Sequence, residues 1–213
     1  RLRTVTGVQT CALPISAQDR DHLPAVDDDR IDDEELLLDL QALSGDYDFL
    51  GLGVFAVAPN GRRVAYSIDS RGDERFELRF RDLITGEDLP DSITDVSGGG
   101  AWLDDDSFCY VRVDAAWRPH QLWLHRLGHS EDQLLYTESD ERFWLSVESS
   151  RDDHFVIVSA GSKNTTQSWL IDPTESPLRL PSVAERREGV EYDVVVASDR
   201  LFIVHNDGAP DFA

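Results

Sequence analysis

Apolar and polar positions recur along this chain with a period of about 45 residues, the mark of a repeat architecture. The stretches "RRVAYS" (62–67), "DSFCYV" (106–111), "DHFVIV" (153–158) and "DRLFIV" (199–204) each set a polar turn before an apolar run rich in β-branched and aromatic residues. Their starts lie 44, 47 and 46 residues apart. Upstream of each lies a short apolar stretch: "VFAVA" (54–58), "GAWL" (100–103), "FWLSV" (143–147) and "YDVVVA" (192–197). Downstream of the first three lies another: "RFELRFRDL" (75–83), "HQLWLHRL" (120–127) and "TQSWLID" (166–172). In the first of these, Phe76, Leu78 and Phe80 alternate with Glu77, Arg79 and Arg81. That period of two belongs to a strand with one face in and one face out.

Turn chemistry punctuates the runs at Pro59-Asn60-Gly61, Thr85-Gly86, Gly128-His129-Ser130 and Asp172-Pro173. Fourth strands are expected at "DQLLYTE" (132–138) and "PLRLPSV" (177–183). Four antiparallel strands per unit of this length describe a β-propeller blade. A β-sandwich has turns at similar spacing but not this register from unit to unit. The expectation is therefore an all-β fold, a partial β-propeller of about three to four four-stranded blades. Innermost strands should centre near 54–58, 100–103, 144–148 and 193–197, each antiparallel to the run that follows. Residues 54–213 would hold three nearly whole blades and one partial, and residues 17–53 the end of a preceding blade with its connection. In that connection "DEELLLDLQALSG" (33–45) carries Leu36, Leu37, Leu40 and Leu43 on one helical stripe with Gly45 as a stop. A strand at "LLLDL" followed by a turn fits equally well.

Residues 1–16 share no pattern with the repeat. Val5 to Ile15, "VTGVQTCALPI", reads back codon by codon as a widely used short-read sequencing adapter. The segment is taken as foreign and set aside, as a processing scar would be, and is expected to form no strand in the propeller register. The chain has no methionine, and the expectation is a gene fragment truncated at both ends. With Cys11 set aside, Cys109 stands alone in an apolar run, where a thiol behaves as a small hydrophobe. No cysteine pair supports a disulfide framework or a metal knuckle.

The formal charge is −22, and −24 without Arg1 and Arg3; Lys163 is the sole lysine. A field of that sign repels nucleic acid and anionic membrane. No run approaches the length of a membrane helix, and the chain is expected to be soluble and cytoplasmic. The clusters "DDDRIDDEE" (27–35) and "DDD" (104–106) lack the Asp-x-Asp-x-Asp-Gly spacing of a calcium loop, so they read as solvated loops.

Little catalytic chemistry is visible. "VSGGG" (96–100) has its serine and glycines in the wrong order for a nucleophile elbow, and the lone "GLG" (51–53) reads as a turn. His125 and His129 would lie roughly 13 Å apart on an extended strand, too far to share a metal. "NTT" (164–166) matches a glycosylation sequon but reads as a loop. Trp102, Trp123, Trp144 and Trp169 recur at blade positions, so packing between blades is their expected role. No catalytic, cofactor-binding or metal residue is assigned, and no cofactor is expected.

The stretches 55–91, 101–128, 140–150 and 187–212, taken in order, resemble the propeller of the oligopeptidase B branch of the prolyl oligopeptidase family of serine peptidases. "LLLDLQALSGDYDFLGLG" (36–53) resembles that family's passage out of its first blade. The resemblance implies a seven-bladed propeller over a C-terminal α/β-hydrolase domain bearing a Ser-Asp-His triad, with cleavage of short peptides after Arg or Lys. The triad would lie outside this chain, which would supply the gate that excludes folded proteins. Partners implied are short peptide substrates and the chain's own hydrolase domain, with no nucleic acid or membrane. Other family members, including prolyl endopeptidases and dipeptidyl or acylaminoacyl peptidases, and non-enzymatic propellers are the alternatives.

Overall fold

A computed structural model describes residues 2–5, 8–14, 34–197 and 200–209, with side chains from residue 36 onward. The chain divides into two compact units, Arg1–Leu50 and Gly51–Ala213.

In the first unit β1 (Leu2–Val5), β2 (Val8–Pro14) and β3 (Glu34–Asp39) form one antiparallel sheet in that order. Part of the segment 1–16 is paired in this sheet: Val5 faces Val8 across the β1–β2 hairpin, and Leu13 of β2 faces Glu35 of β3. Sheet pairing draws on backbone N–H and C=O groups, which a foreign sequence supplies as well as a native one. Both readings of residues 33–45 hold in part. After β3 the chain enters a single turn of helix, α1 (Leu40–Ser44), whose start Asp39 caps by accepting from Gln41 N and Ala42 N, each at 2.9 Å. The acidic run 27–35 lies almost wholly outside the described residues.

The second unit begins with β4 (Gly51–Val57), β5 (Arg63–Asp69) and β6 (Phe76–Asp82). Next come β7 (Asp88–Trp102), β8 (Ser107–Val113), β9 (Pro119–Arg126) and β10 (Gln133–Thr137). These seven strands form one sheet in sequence order. Strand β7 serves two blades. Its first half closes the first blade through Phe76↔Val96, Leu78↔Ile93 and Arg81↔Asp88, and its second half opens the next through Gly100↔Tyr110 and Trp102↔Phe108. The register breaks between Val96 and Gly100, beside Asp95 with φ of 57°, a left-handed conformation that Asp tolerates better than most residues. The fourth strand of the first blade, absent from the sequence expectation, is therefore the start of β7.

The third blade is β11 (Trp144–Ser149), β12 (Val156–Gly161) and β13 (Thr166–Ile171). Its expected fourth strand at 177–183 contracts to one bridge, Trp169↔Ser182, with Leu170 N donating to Pro181 O and Val183 N to Ser168 O. Strands β14 (Tyr192–Ala197) and β15 (Arg200–His205) pair as the start of another blade. The four predicted innermost strands all exist, each antiparallel to the next run.

Strand β8 shows why the blades stack. Phe108 and Tyr110 enter a core with Phe80, Leu78 and Trp102 on one face, while Cys109 and Val111 enter a core with Leu145, Val147 and Val158 on the other. A strand buried on both faces reads as a continuous apolar run, and "FCYV" does. Full burial of each such side chain contributes about 1.5–3 kcal/mol. Trp102 and Trp169 are buried, and Trp123 packs on the margin of the first core. Trp144 departs from expectation at 55% exposed. Leu145 and Val147 occupy the core face of β11, so period-two alternation turns Trp144 to the opposite face.

Candidate functional site

The innermost strands approach one another closely, and the two glycine motifs sit at these contacts. A methyl group at Gly99 would lie 3.1 Å from Val147 O of the next blade, and one at Gly98 would lie 3.8 Å from Gly53 Cα of the preceding blade. The "GLG" and "VSGGG" stretches are thus neither turn nor elbow; they lie within β4 and β7, where Gly98 and Gly99 face neighbouring blades while Gly53 and Gly100 make room for Phe76 and Phe108 of their own.

The most conspicuous polar constellation lies at the outer strands. Buried His125 on β9 faces Asp132 Oδ1 with Nδ1 at 2.7 Å and Asp91 Oδ1 with Nε2 at 3.1 Å, and its ring stacks on Phe80 at 5.4 Å. Tyr110 donates its hydroxyl to Asp132 Oδ2, and Gly128 N donates to Asp91 Oδ1 at 2.7 Å. The first blade carries the same device 44 residues earlier. There Tyr66 donates to Asp88 Oδ2 at 2.8 Å, and Arg81 Nε donates to Asp88 Oδ1 at 2.7 Å. Tyr66, Arg81 and Asp88 correspond to Tyr110, His125 and Asp132. A tyrosine, an aspartate and a basic residue therefore fasten second, third and fourth strands within a blade, and the sequence signal for it was the shared offset of three polar residues. Burial and the hydrogen bond to Asp88 push the Tyr66 phenol up to about 12. Burial and the bond to Asp132 raise Tyr110 as well.

Turns are fastened the same way. Asp69 accepts from Arg71 N, Gly72 N and Glu74 N, and Asp114, 45 residues later, accepts from Ala116 N and Arg118 N. The acidic turn 104–106 holds the preceding blade: Asp105 Oδ1 accepts from Asn60 N, while Asp105 O and the Asp106 carboxylate both take Arg63. Among the described residues no group of three His, Cys, Asp or Glu converges as a metal site. His129 follows the Gly128 turn, with φ of 77°, instead of continuing the strand. Both histidines line one pocket of about 480 Å³. Cys109 is fully buried, and burial pushes its thiol up to about 12, which leaves it no nucleophilic thiolate. Asn164 of the sequon lies on the β12–β13 loop.

At the end of the third blade a second hub forms around buried Glu138. Burial pushes its carboxyl up, but Arg186 Nη2, Asp140 N at 2.9 Å and the Tyr136 hydroxyl at 3.2 Å together hold it below the ordinary carboxylate value. Beside this hub lies a pocket of about 340 Å³ lined by Arg142, Ser162, Lys163, Asn164, Arg186 and Glu188, among others.

Residues 11–213 match the prolyl oligopeptidase N-terminal β-propeller domain. The chain belongs to the prolyl oligopeptidase family. The match begins inside the segment read as foreign. Within the family the chain is 38% identical over 185 residues to "Protease 2" of Moraxella lacunata, covering 84% of this chain and 27% of the relative. It is 34% identical over 184 residues to "Dipeptidyl aminopeptidase BI" of Pseudoxanthomonas mexicana, covering 84% of this chain and 25% of the relative. Among solved structures, oligopeptidase B from Trypanosoma brucei superposes with a TM-score of 0.75 at 30% identity, over 87% of this chain and 26% of that one. Oligopeptidase B from Leishmania major has a TM-score of 0.81 at 24% identity, over 95% of this chain and 28% of that one, a likeness of fold. The expected resemblance to the oligopeptidase B branch is met, and the chain spans about a quarter of the length of these relatives. No helix among the described residues is long and apolar enough to cross a membrane.

Proposed function

We propose that this chain is part of the substrate-gating propeller of a longer, oligopeptidase B-like serine peptidase of the cytoplasm, one that cleaves short peptides after Arg or Lys. The observation that carries the reading is the 38% identity to "Protease 2", spread over 84% of the chain. A closed ring of blades admits a chain end or a short peptide and excludes a folded domain by steric access. Chemistry would come from an α/β-hydrolase domain downstream, because acyl transfer needs a nucleophile, base and oxyanion hole together. Here buried His125 has both ring nitrogens engaged by carboxylates, and the Cys109 thiol is held protonated. The surplus of acids, 42 against 20 basic residues, favours attraction of cationic peptides.

A second reading, a dipeptidyl peptidase, is supported by the 34% identity to "Dipeptidyl aminopeptidase BI". The test is the full-length protein assayed on blocked arginyl, blocked prolyl and unblocked dipeptidyl substrates, with a serine-directed covalent inhibitor as control. Inhibitor-sensitive cleavage after blocked Arg is expected. Cleavage confined to unblocked dipeptides or to Pro would overturn the Arg/Lys assignment. No inhibitor-sensitive cleavage by well-folded protein would favour a binding platform instead.

A further inference from the structure

The pocket at the end of the third blade collects three cations in a chain dominated by acids. Three segments build it: Arg142 and Phe143 leading into β11, the loop Ser162–Thr165 between β12 and β13, and Arg186 with Glu188 on the way to β14. Antiparallel pairing brings them together, since β11 starts where β12 ends, at Trp144↔Gly161.

The cations are not equivalent. Arg142 is neutralised by Asp140, with Nη2 to Oδ2 at 2.8 Å, and Glu188 adds a second negative charge acting on it. Arg186 is immobilised: Nη2 is held by Glu138, Nε donates to Gln167 Oε1 at 3.0 Å, and the guanidinium lies over the Phe143 ring at 3.8 Å. Its Nη1 has no partner among the described residues. Lys163, the sole lysine of the chain, is exposed with neither ion-pair nor hydrogen-bond partner among the described residues. A fixed guanidinium edge and a free ammonium thus share one cavity, and Arg186 loses little entropy when it binds because its conformation is already set.

We propose that this pocket binds the free C-terminal carboxylate of a short peptide substrate, one oxygen on Lys163 Nζ and the other on Arg186 Nη1. The assignment rests on the peptidase reading above. A carboxylate matches two separate single donors, and charge-assisted bonds of this kind are about twice as strong as neutral ones. The cavity of about 340 Å³ is at the small end for ligand sites, sized for a peptide terminus and not for a folded surface. In an acidic ring it would position the far end of a cationic peptide.

The experiment uses the full-length protein and three matched short arginyl peptides: free acid, C-terminal amide, and amide with a terminal Glu. We expect kcat/KM for the free acid to exceed that for the amide by about tenfold, and Lys163→Ala to bring the ratio close to one. Arg179→Ala, which removes an exposed cation outside the pocket, should keep the wild-type ratio. Equal rates for acid and amide in the wild type, or a ratio retained in Lys163→Ala, would overturn the assignment. Full recovery by the Glu-terminated amide would also overturn it, because the carboxylate would then come from a side chain. Calorimetric titration of free acid and amide reads the pocket without cleavage. If no peptide is cut, the peptidase reading fails, while tighter binding of the acid that Lys163→Ala abolishes would still support the carboxylate site; equal binding would overturn it.

Discussion

Removing the Trp102 ring should loosen two blades at once. Trp102 sits on the second half of β7, 7% exposed, with edge contacts to Phe80 at 5.7 Å and Phe108 at 5.1 Å between centroids. Its Nε1 donates to Ala56 O on β4 at 2.8 Å, so one side chain reaches the innermost strand of the preceding blade. Trp102→Ala removes a large buried ring, a change costing about 3–5 kcal/mol. Trp102→Phe keeps most of the aromatic contact and loses the hydrogen bond, about 1 kcal/mol, plus the volume of the second ring. It should cost less than half as much as the Ala variant. The assay is native-state hydrogen exchange on the full-length protein, which reports strand by strand where a single melting temperature would mix domains. Amides of β4 and β8 should lose protection together in Trp102→Ala. Loss confined to β8, or equal effects of Phe and Ala, would refute the claim that this residue ties neighbouring blades.

Three further outcomes follow from particular contacts. Because Glu138 is held below its ordinary value in the folded state, its contribution is full above the usual carboxylate pKa of about 4.3 and is lost as pH falls through the depressed folded value; the melting-temperature gap between wild type and Glu138→Gln should be constant at neutral pH and narrow in acid, and a gap that widened in acid would reverse the sign. Gly100→Ala should cost about 1–3 kcal/mol by urea denaturation, since its methyl would lie 2.4 Å from the Phe108 ring. By contrast Gly161→Ala, which has open space around the new methyl, should be near neutral. A clean genomic assembly of the locus should show other residues at 1–16, and finding "VTGVQTCALPI" there would end the adapter interpretation.

The blades were legible because each is an independent copy of one problem. A strand buried on both faces must be apolar throughout, so the runs at 64–68 and 108–111 stand out and repeat. Strand β7 was only half legible: Leu89 and Ile93 alternate weakly among polar residues, and the left-handed Asp95 breaks the phase before the glycines begin. The fourth strand expected at 177–183 carried a weaker pattern than the others, and only Ser182 pairs, in a stretch where Pro177 and Pro181 have no N–H to donate to a ladder. Among candidate site residues, the pairing of His125 with Asp91 and Asp132 depends on strands 34 and 7 residues away and was invisible to motif search. Its counterpart Arg81 is a different residue type, so the repeat was masked by chemistry though not by spacing. The basic pocket was equally hidden, since Arg142, Lys163 and Arg186 come from three separate segments.

Gating by size is the central claim. The most direct measurement gives the full-length protein one arginyl cleavage sequence in two forms: as a free short peptide, and in an exposed loop of a stable folded protein. The account predicts inhibitor-sensitive cleavage of the peptide and none of the loop, with cleavage of the second form appearing once the carrier is unfolded and cut into short fragments. Cleavage of the intact folded carrier at a rate comparable to the peptide would contradict it.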